Sequence, residues 1–180
     1  MAMSMQRAGL IPPVQFMGMK TMNIKRAGLE DLTDICILAD EIATQHHQHQ
    51  PEIFAPASGM IRDRDLWASC ITAENGVMFI ARSSGQIAGF VSAQITDTSA
   101  ITLLQPRIIC RIGTILVSQA QQRQGLGKEL INTVEKWAAS KKACEIRLEV
   151  FKFNHQAIDF YEAQHFQPQS HIMTKKLNHE

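Results

Sequence analysis

With 180 residues and 45% hydrophobic side chains, the chain is the size of one domain and apolar enough to bury a sizeable core. Lys+Arg number 18 against Asp+Glu 17, a formal net charge of +1, which excludes the clear basic excess of a broad nucleic-acid footprint. Cys36, Cys70, Cys110 and Cys144 stand far apart with no C-x-x-C pair, which argues against a zinc site or a disulfide scaffold and for a reducing, cytoplasmic compartment.

The first 21 residues carry Arg7 and Lys20 but no acid, and Pro12-Pro13 cuts their apolar run. They read as a loose leader or upstream start rather than a signal peptide, with a single domain over 22–180. No apolar run approaches the ~18 residues of a membrane helix. Asn23–Ala27 suits a short first strand. Leu32, Ile35, Leu38, Ala39 and Ile42 then recur at helical spacing, behind Glu30 and Asp31, whose charges favour a helix N-terminus. Residues 44–58, polar and interrupted by Pro51 and Pro56, predict a loop or broken helix. A helix is expected from Arg62 to Ala73, then a β-hairpin: Val77–Arg82, a turn at Ser83-Ser84-Gly85, and Gln86–Thr96. Ile108–Ser118 forms another strand.

The best amphipathic helix follows. Leu126, Leu130, Ile131, Val134, Trp137 and Ala138 share one face; Lys128, Glu129, Asn132, Glu135 and Lys136 share the other. Ile146, Leu148 and Val150 alternate with Glu145, Arg147 and Glu149, as in a strand with one apolar face. Asn154 can cap a helix reaching about Gln164. Residues 171–177 suit a last strand. Strands mixed with helices around a hairpin indicate an α+β or mixed α/β domain.

Chemistry concentrates at one strand–turn–helix, where Gln119–Gln124 leads into Gly125-Leu126-Gly127. A helix N-terminus leaves backbone N–H groups unpaired and carries partial positive charge. Glycines there admit an anion such as a pyrophosphate close to the backbone, and Arg123 and Lys128 add charge. A tight turn without a ligand accounts for the same residues equally well. Two phosphate motifs fail. Gly127-Lys128 is followed by Glu129, against the Walker pattern, and Leu130 stands where G-x-G-x-x-G needs its third glycine.

Gln122-Arg123-Gln124-Gly125-Leu126-Gly127 resembles the [QR]-x-x-G-x-[GA] loop of the GCN5-related N-acetyltransferases (GNAT). Asn154, Ala157, Tyr161 and Phe166 resemble that family's N-x-x-A-x-x-x-Y-x-x-x-x-F stretch, and the likeness spans about Met22 to Leu177. It implies a mixed, mostly antiparallel sheet of six to seven strands with about four helices. It also implies acetyl transfer from acetyl-CoA directly to a primary amine of a small molecule or peptide, with no nucleic acid or membrane partner and a homodimer as one option. Leu116 and Val117 would offer backbone groups to the pantetheine arm, and one of their N–H groups would stabilise the oxyanion. Gln122, Arg123, Gln124, Gly125, Leu126, Gly127 and Lys128 would hold the pyrophosphate. Asn154 would contact the cofactor, its other reading being a helix cap alone. Tyr161 would protonate the leaving thiolate, its other reading being a packed ring.

Two departures from that pattern stand out. His165 precedes Phe166 where many members have glycine. The strand stretch Arg111-Ile112-Gly113-Thr114 lacks the carboxylate that many members use as base; Glu149 is then the first candidate, its other reading a solvated or salt-bridged carboxylate, with a water chain or an acceptor that arrives neutral as equal alternatives. The missing acid also keeps open a non-catalytic acyl-CoA-binding or regulatory module. His46, His47 and His49 lack a fourth ligand at metal spacing and read first as a solvated loop. The His49–Phe54 run resembles acceptor-site stretches of several subfamilies, so a histidine base is a further reading. No acidic cluster marks this loop for polycations.

Overall fold

The computed structural model describes residues 23–57, 59 and 63–177. The expected leader over 1–21, Met22 and the expected helix start at Arg62 lie outside the described residues. Strands β1 (Asn23–Arg26), β2 (Gly76–Ser83), β3 (Gln86–Asp97), β4 (Ile108–Val117) and β5 (Glu145–Arg147) form one sheet in the order β1-β2-β3-β4-β5. Neighbours pair antiparallel except β4 and β5, which run parallel. Helices α1 (Leu32–His49), α2 (Arg64–Thr72), α3 (Leu126–Ser140) and α4 (His155–Ala163) complete the domain.

The period-2 alternation of the strands splits the core in two. Met78, Ile80 and Phe90 meet Ile35, Leu38, Trp67 and Ile71 of α1 and α2. Val77, Val91, Cys110 and Ile112 meet Leu126, Leu130, Ile131 and Val134 of α3 on the other face. The predicted hairpin is present; Ser84 (φ 53°) and Gly85 (φ 86°) both take the positive φ that a tight two-residue hairpin turn requires.

Three expectations need correction. The helix α1 runs on to His49, so residues 44–49 are not loop. Thr44 Oγ1 donates to the Asp40 carbonyl at 2.9 Å and the Gln50 N–H to the His46 carbonyl at 2.9 Å. The break comes at Gln50, immediately before Pro51, where proline disfavours helix in its predecessor. Residues 171–177 form no strand: they have no ladder partner, and Ile172, Met173 and Leu177 lie exposed. The sheet among the described residues therefore has five strands, not six or seven. Finally, β5 stops at Arg147, so Leu148 and Val150 continue beyond the ladder.

The first helix is tied to the sheet by Asp31, whose side chain is 3% exposed. Its carboxylate meets Arg82 Nη2 at 2.8 Å, Lys25 Nζ at 3.0 Å and the Gly28 N–H at 3.0 Å. This joins β1, the turn before α1 and β2 through one buried anion.

Candidate functional site

The site begins where β4 and β5 part. They pair only through Ile109, Cys110 and Arg111 against Glu145, Ile146 and Arg147. Just beyond, the β3–β4 register shifts between Ser92 and Ala93, leaving Gly113 as the extra residue of a bulge. A bulge bends its strand and ends regular pairing. From here β4 keeps β3 on one side and has no ladder partner on the other.

Which groups face that fork follows from hydrogen-bond parity. Ser118 donates its N–H to the Ala88 carbonyl at 2.9 Å. Antiparallel pairs alternate between bonded and non-bonded, so Leu116, opposite Phe90, also points its N–H and C=O at β3. Ile115 and Val117 point theirs into the fork. The Gln122 side-chain amide donates to the Val117 carbonyl there at 3.2 Å, leaving the Val117 N–H without a ladder partner. Ile115 is a fork-facing residue that sequence reasoning missed. A glycine inside a strand pattern was the available sign of the bulge that opens the edge.

The open end of the fork leads into the glycine loop. Arg123 (φ 59°) and Gly125 (φ 85°) are both left-handed, and Gly125 caps α3. The Gln124 side-chain amide donates to the Ala120 carbonyl at 2.8 Å, so side-chain amides from Gln122 and Gln124 satisfy carbonyls around the loop. Glu129 makes the first helical bond, to the Gly125 carbonyl at 3.1 Å. The N–H groups of Leu126, Gly127 and Lys128 precede the ladder and stay available for an anion. A Cβ on Gly125 would meet nothing within 4 Å, so this position is open toward solvent. Gly127 differs: a Cβ there would stand 3.1 Å from Phe160 Cζ, so this glycine lets α4 close on α3. Arg123 and Lys128 are exposed, and Leu126 is buried in the core beneath.

Asn154 caps α4, accepting the Ala157 N–H on Oδ1 at 3.1 Å, which leaves its amide NH₂ as the free donor. Tyr161 is half-buried in the α3-side core, between Phe160 (5.3 Å between ring centroids) and Phe166 (5.7 Å). Its hydroxyl makes no hydrogen bond among the described residues. Burial raises its pKa above the usual phenol value.

Glu149 is exposed and lines a cavity of about 310 Å³ at the closed end of the fork, with Cys70, Ser92, Arg111 and Gly113. Cys70 belongs to α2, so Glu149 borders the α2 face of the sheet while Tyr161 packs with the α3 face. A wider cleft of about 540 Å³ takes its walls from α1 and Gln119; it includes His49, the further reading for a base, and neither Tyr161, Glu149 nor any expected cofactor residue.

The histidines sit at the end of α1 rather than in a loop. His46 packs on Phe54 at 4.7 Å between ring centroids, His47 Nδ1 lies 2.6 Å from the Phe54 carbonyl, and His49 Nδ1 lies 2.7 Å from the Gln45 carbonyl. Burial, then the charge of His49, lowers the His46 pKa. Among the described residues no cluster could hold a metal ion, and no helix is long and apolar enough to cross a membrane.

The model of the acetyltransferase (GNAT) family matches residues 41–166. Among solved structures, a tetramutant of the BH1408 protein from Bacillus halodurans is similar at 18% identity and TM-score 0.80, over 87% of this chain and 100% of that one. An aminoglycoside acetyltransferase, meta-AAC0020, from an uncultured soil metagenomic sample is similar at 19% identity and TM-score 0.63, over 88% and 97%. Aminoglycoside N-acetyltransferase AAC(6')-Iy, solved with CoA, is similar at 17% identity and TM-score 0.64, over 87% and 99%. At these identities the likeness is one of fold. No curated protein matches the chain.

Proposed function

The chain belongs to the acetyltransferase (GNAT) family, and on that premise we propose that it moves the acetyl group of acetyl-CoA directly to a primary amine of a small molecule or peptide. The observation that carries this reading is the continuity between the unpaired β4 edge at Ile115 and Val117 and the N–H groups at the start of α3. An extended acyl thioester with a pyrophosphate at its far end needs both: strand-edge hydrogen bonds along its arm and a backbone cradle for its charge. The open space over Gly125 is where a phosphate would approach, and a cradle of N–H groups suits a chain with a net charge of only +1.

Gln122 to Lys128 hold the pyrophosphate, chiefly through the N–H groups of Leu126, Gly127 and Lys128. The Asn154 NH₂ supports the arm. Acetyl-CoA supplies an activated thioester whose carbonyl oxygen gains negative charge as the amine attacks. Val117 offers its N–H to that charge; Leu116, whose N–H serves the ladder, shapes the site through its side chain, which packs partly on the α1–α2 core. As the nitrogen–carbon bond forms and the carbon–sulfur bond breaks, Glu149 takes the proton from the amine and Tyr161 returns one to sulfur. The two groups lie on opposite faces of the sheet, which lets the amine enter on one side while the thiol leaves on the other.

The test is acetyl-CoA binding by calorimetry together with thiol release across a panel of amines. Binding accompanied by release with at least one amine is the expected result. Binding without release for every amine would overturn catalysis and favour the acyl-CoA-binding module, which the missing β4 carboxylate keeps in view.

A further inference from the structure

The cavity at the closed end of the fork contains two charged side chains, Arg111 and Glu149, and among the described residues neither makes an ion pair. Their neighbours are engaged differently: Arg147 and Arg107 both pair with Glu145. So one guanidinium and one carboxylate are left facing the same small space without neutralising each other. A third group joins them. Ser92 is 6% exposed, lines the cavity, and its hydroxyl makes no hydrogen bond among the described residues. Its oxygen is not among the fully enclosed polar atoms that lack a partner, so the hydroxyl opens onto the cavity as a free donor and acceptor. Gly113 keeps the approach clear, since a Cβ there would stand 3.3 Å from Ser92 Oγ.

We propose that the acceptor is an amino acid, or a peptide with its carboxylate near the reacting amine, and that Arg111 binds that carboxylate. This rests on the acetyltransferase reading and names its substrate class. A guanidinium presents a planar fork of donors that matches a carboxylate with two parallel bonds. Ser92 supplies one further donor. With Arg111 holding the carboxylate, Glu149 faces the amine of the same molecule, so one cation and one anion complement a zwitterion. An oligocationic acceptor finds a single carboxylate here and meets the Arg111 charge as repulsion. The cavity, at about 310 Å³, stands at the small end of the range for small-molecule sites.

The experiment compares amino acids with their decarboxylated amines as acceptors, and separately measures binding of N-acetyl amino acids by calorimetry, for the wild type, Arg111→Gln and Arg111→Lys. Wild type is expected to prefer carboxylated acceptors at least ~10-fold in kcat/KM, with the preference falling to near one in Arg111→Gln and in between in Arg111→Lys. The N-acetyl amino acid is expected to bind wild type and to lose at least ~10-fold in affinity in Arg111→Gln. Transfer without preference for a carboxylate, or binding of the N-acetyl amino acid unchanged in Arg111→Gln, overturns the proposal. Arg111-dependent binding with no transfer to any amine instead overturns the acetyltransferase reading and leaves the carboxylate site standing.

Discussion

Phe166 holds Tyr161 twice: its N–H donates to the Tyr161 carbonyl at 3.0 Å, and its ring meets the Tyr161 ring edge-on at 5.7 Å. Together with the His165 N–H on the Glu162 carbonyl at 2.9 Å, this is a Schellman closure of α4 with its usual hydrophobic contact. The motif needs a left-handed residue between, and here that residue is His165, at φ 66°. A histidine there pays steric strain that glycine avoids. His165→Gly is therefore expected to stabilise the protein by about 1 kcal/mol, raising Tm by about 2–4 °C. An unchanged or lower Tm would mean that the His165 side chain contributes contacts outweighing the strain.

The glycine loop, the α3 stripe, the hairpin and the Asn154 cap were legible in the sequence because each is a local pattern: residue type and spacing decide them. The fork was not. Gly113 reads as an ordinary strand glycine until the register of β3 against β4 shows it to be the bulge. Likewise Leu116 and Val117 look equivalent in one dimension, and the Ser118 bond to Ala88 separates them. Arg111 drew notice only as the absence of an acid; its place beside Glu149 depends on how β4 and the segment after β5 meet in space. The six to seven strands followed from the family resemblance and from the strand expected at 171–177, and local residues cannot supply a partner strand.

Tyr161→Phe removes the hydroxyl and keeps the packing with Phe160 and Phe166. Turnover is expected to fall about 10²-fold or more, while acetyl-CoA affinity stays within about twofold. An acid must be protonated to act, and burial holds the Tyr161 proton beyond its usual pKa near ~10. The alkaline side of the wild-type turnover profile should therefore stay flat to about pH 10. A variant as active as wild type would assign protonation of the thiolate to another group.

The two loop glycines should fail in different ways. Gly125→Val forces a β-branched residue into φ 85° and places its side chain in the open cradle. Acetyl-CoA affinity is expected to drop at least ~10-fold, with α3 still formed. Gly127→Ala leaves the cradle open but presses on Phe160, whose ring lies beside Tyr161. Its loss should appear in kcat more than in cofactor affinity. Calorimetry and steady-state kinetics on both variants separate these outcomes, and equal affinity losses would show that the Gly127 side-chain position, and not only its N–H, bears on cofactor seating.

Asp31 makes folding depend on acid. Burial alone would raise its pKa, but hydrogen bonds from Arg82, the Gly28 N–H and Lys25 outweigh burial and hold the carboxyl below its usual range. A carboxyl whose folded pKa is depressed contributes stability above its unfolded value, near ~4, and loses it as pH falls through the folded value. Asp31→Asn removes that charge at every pH. Because Arg82 and Lys25 are themselves 29% and 44% exposed, the loss at neutral pH is expected at about 2–3 kcal/mol, below the range for a fully buried pair. Denaturant titrations at pH 7 and below pH 4 test this: the gap between wild type and variant should narrow as pH falls. A gap that is constant across that range would show that Asp31 acts by packing rather than by charge.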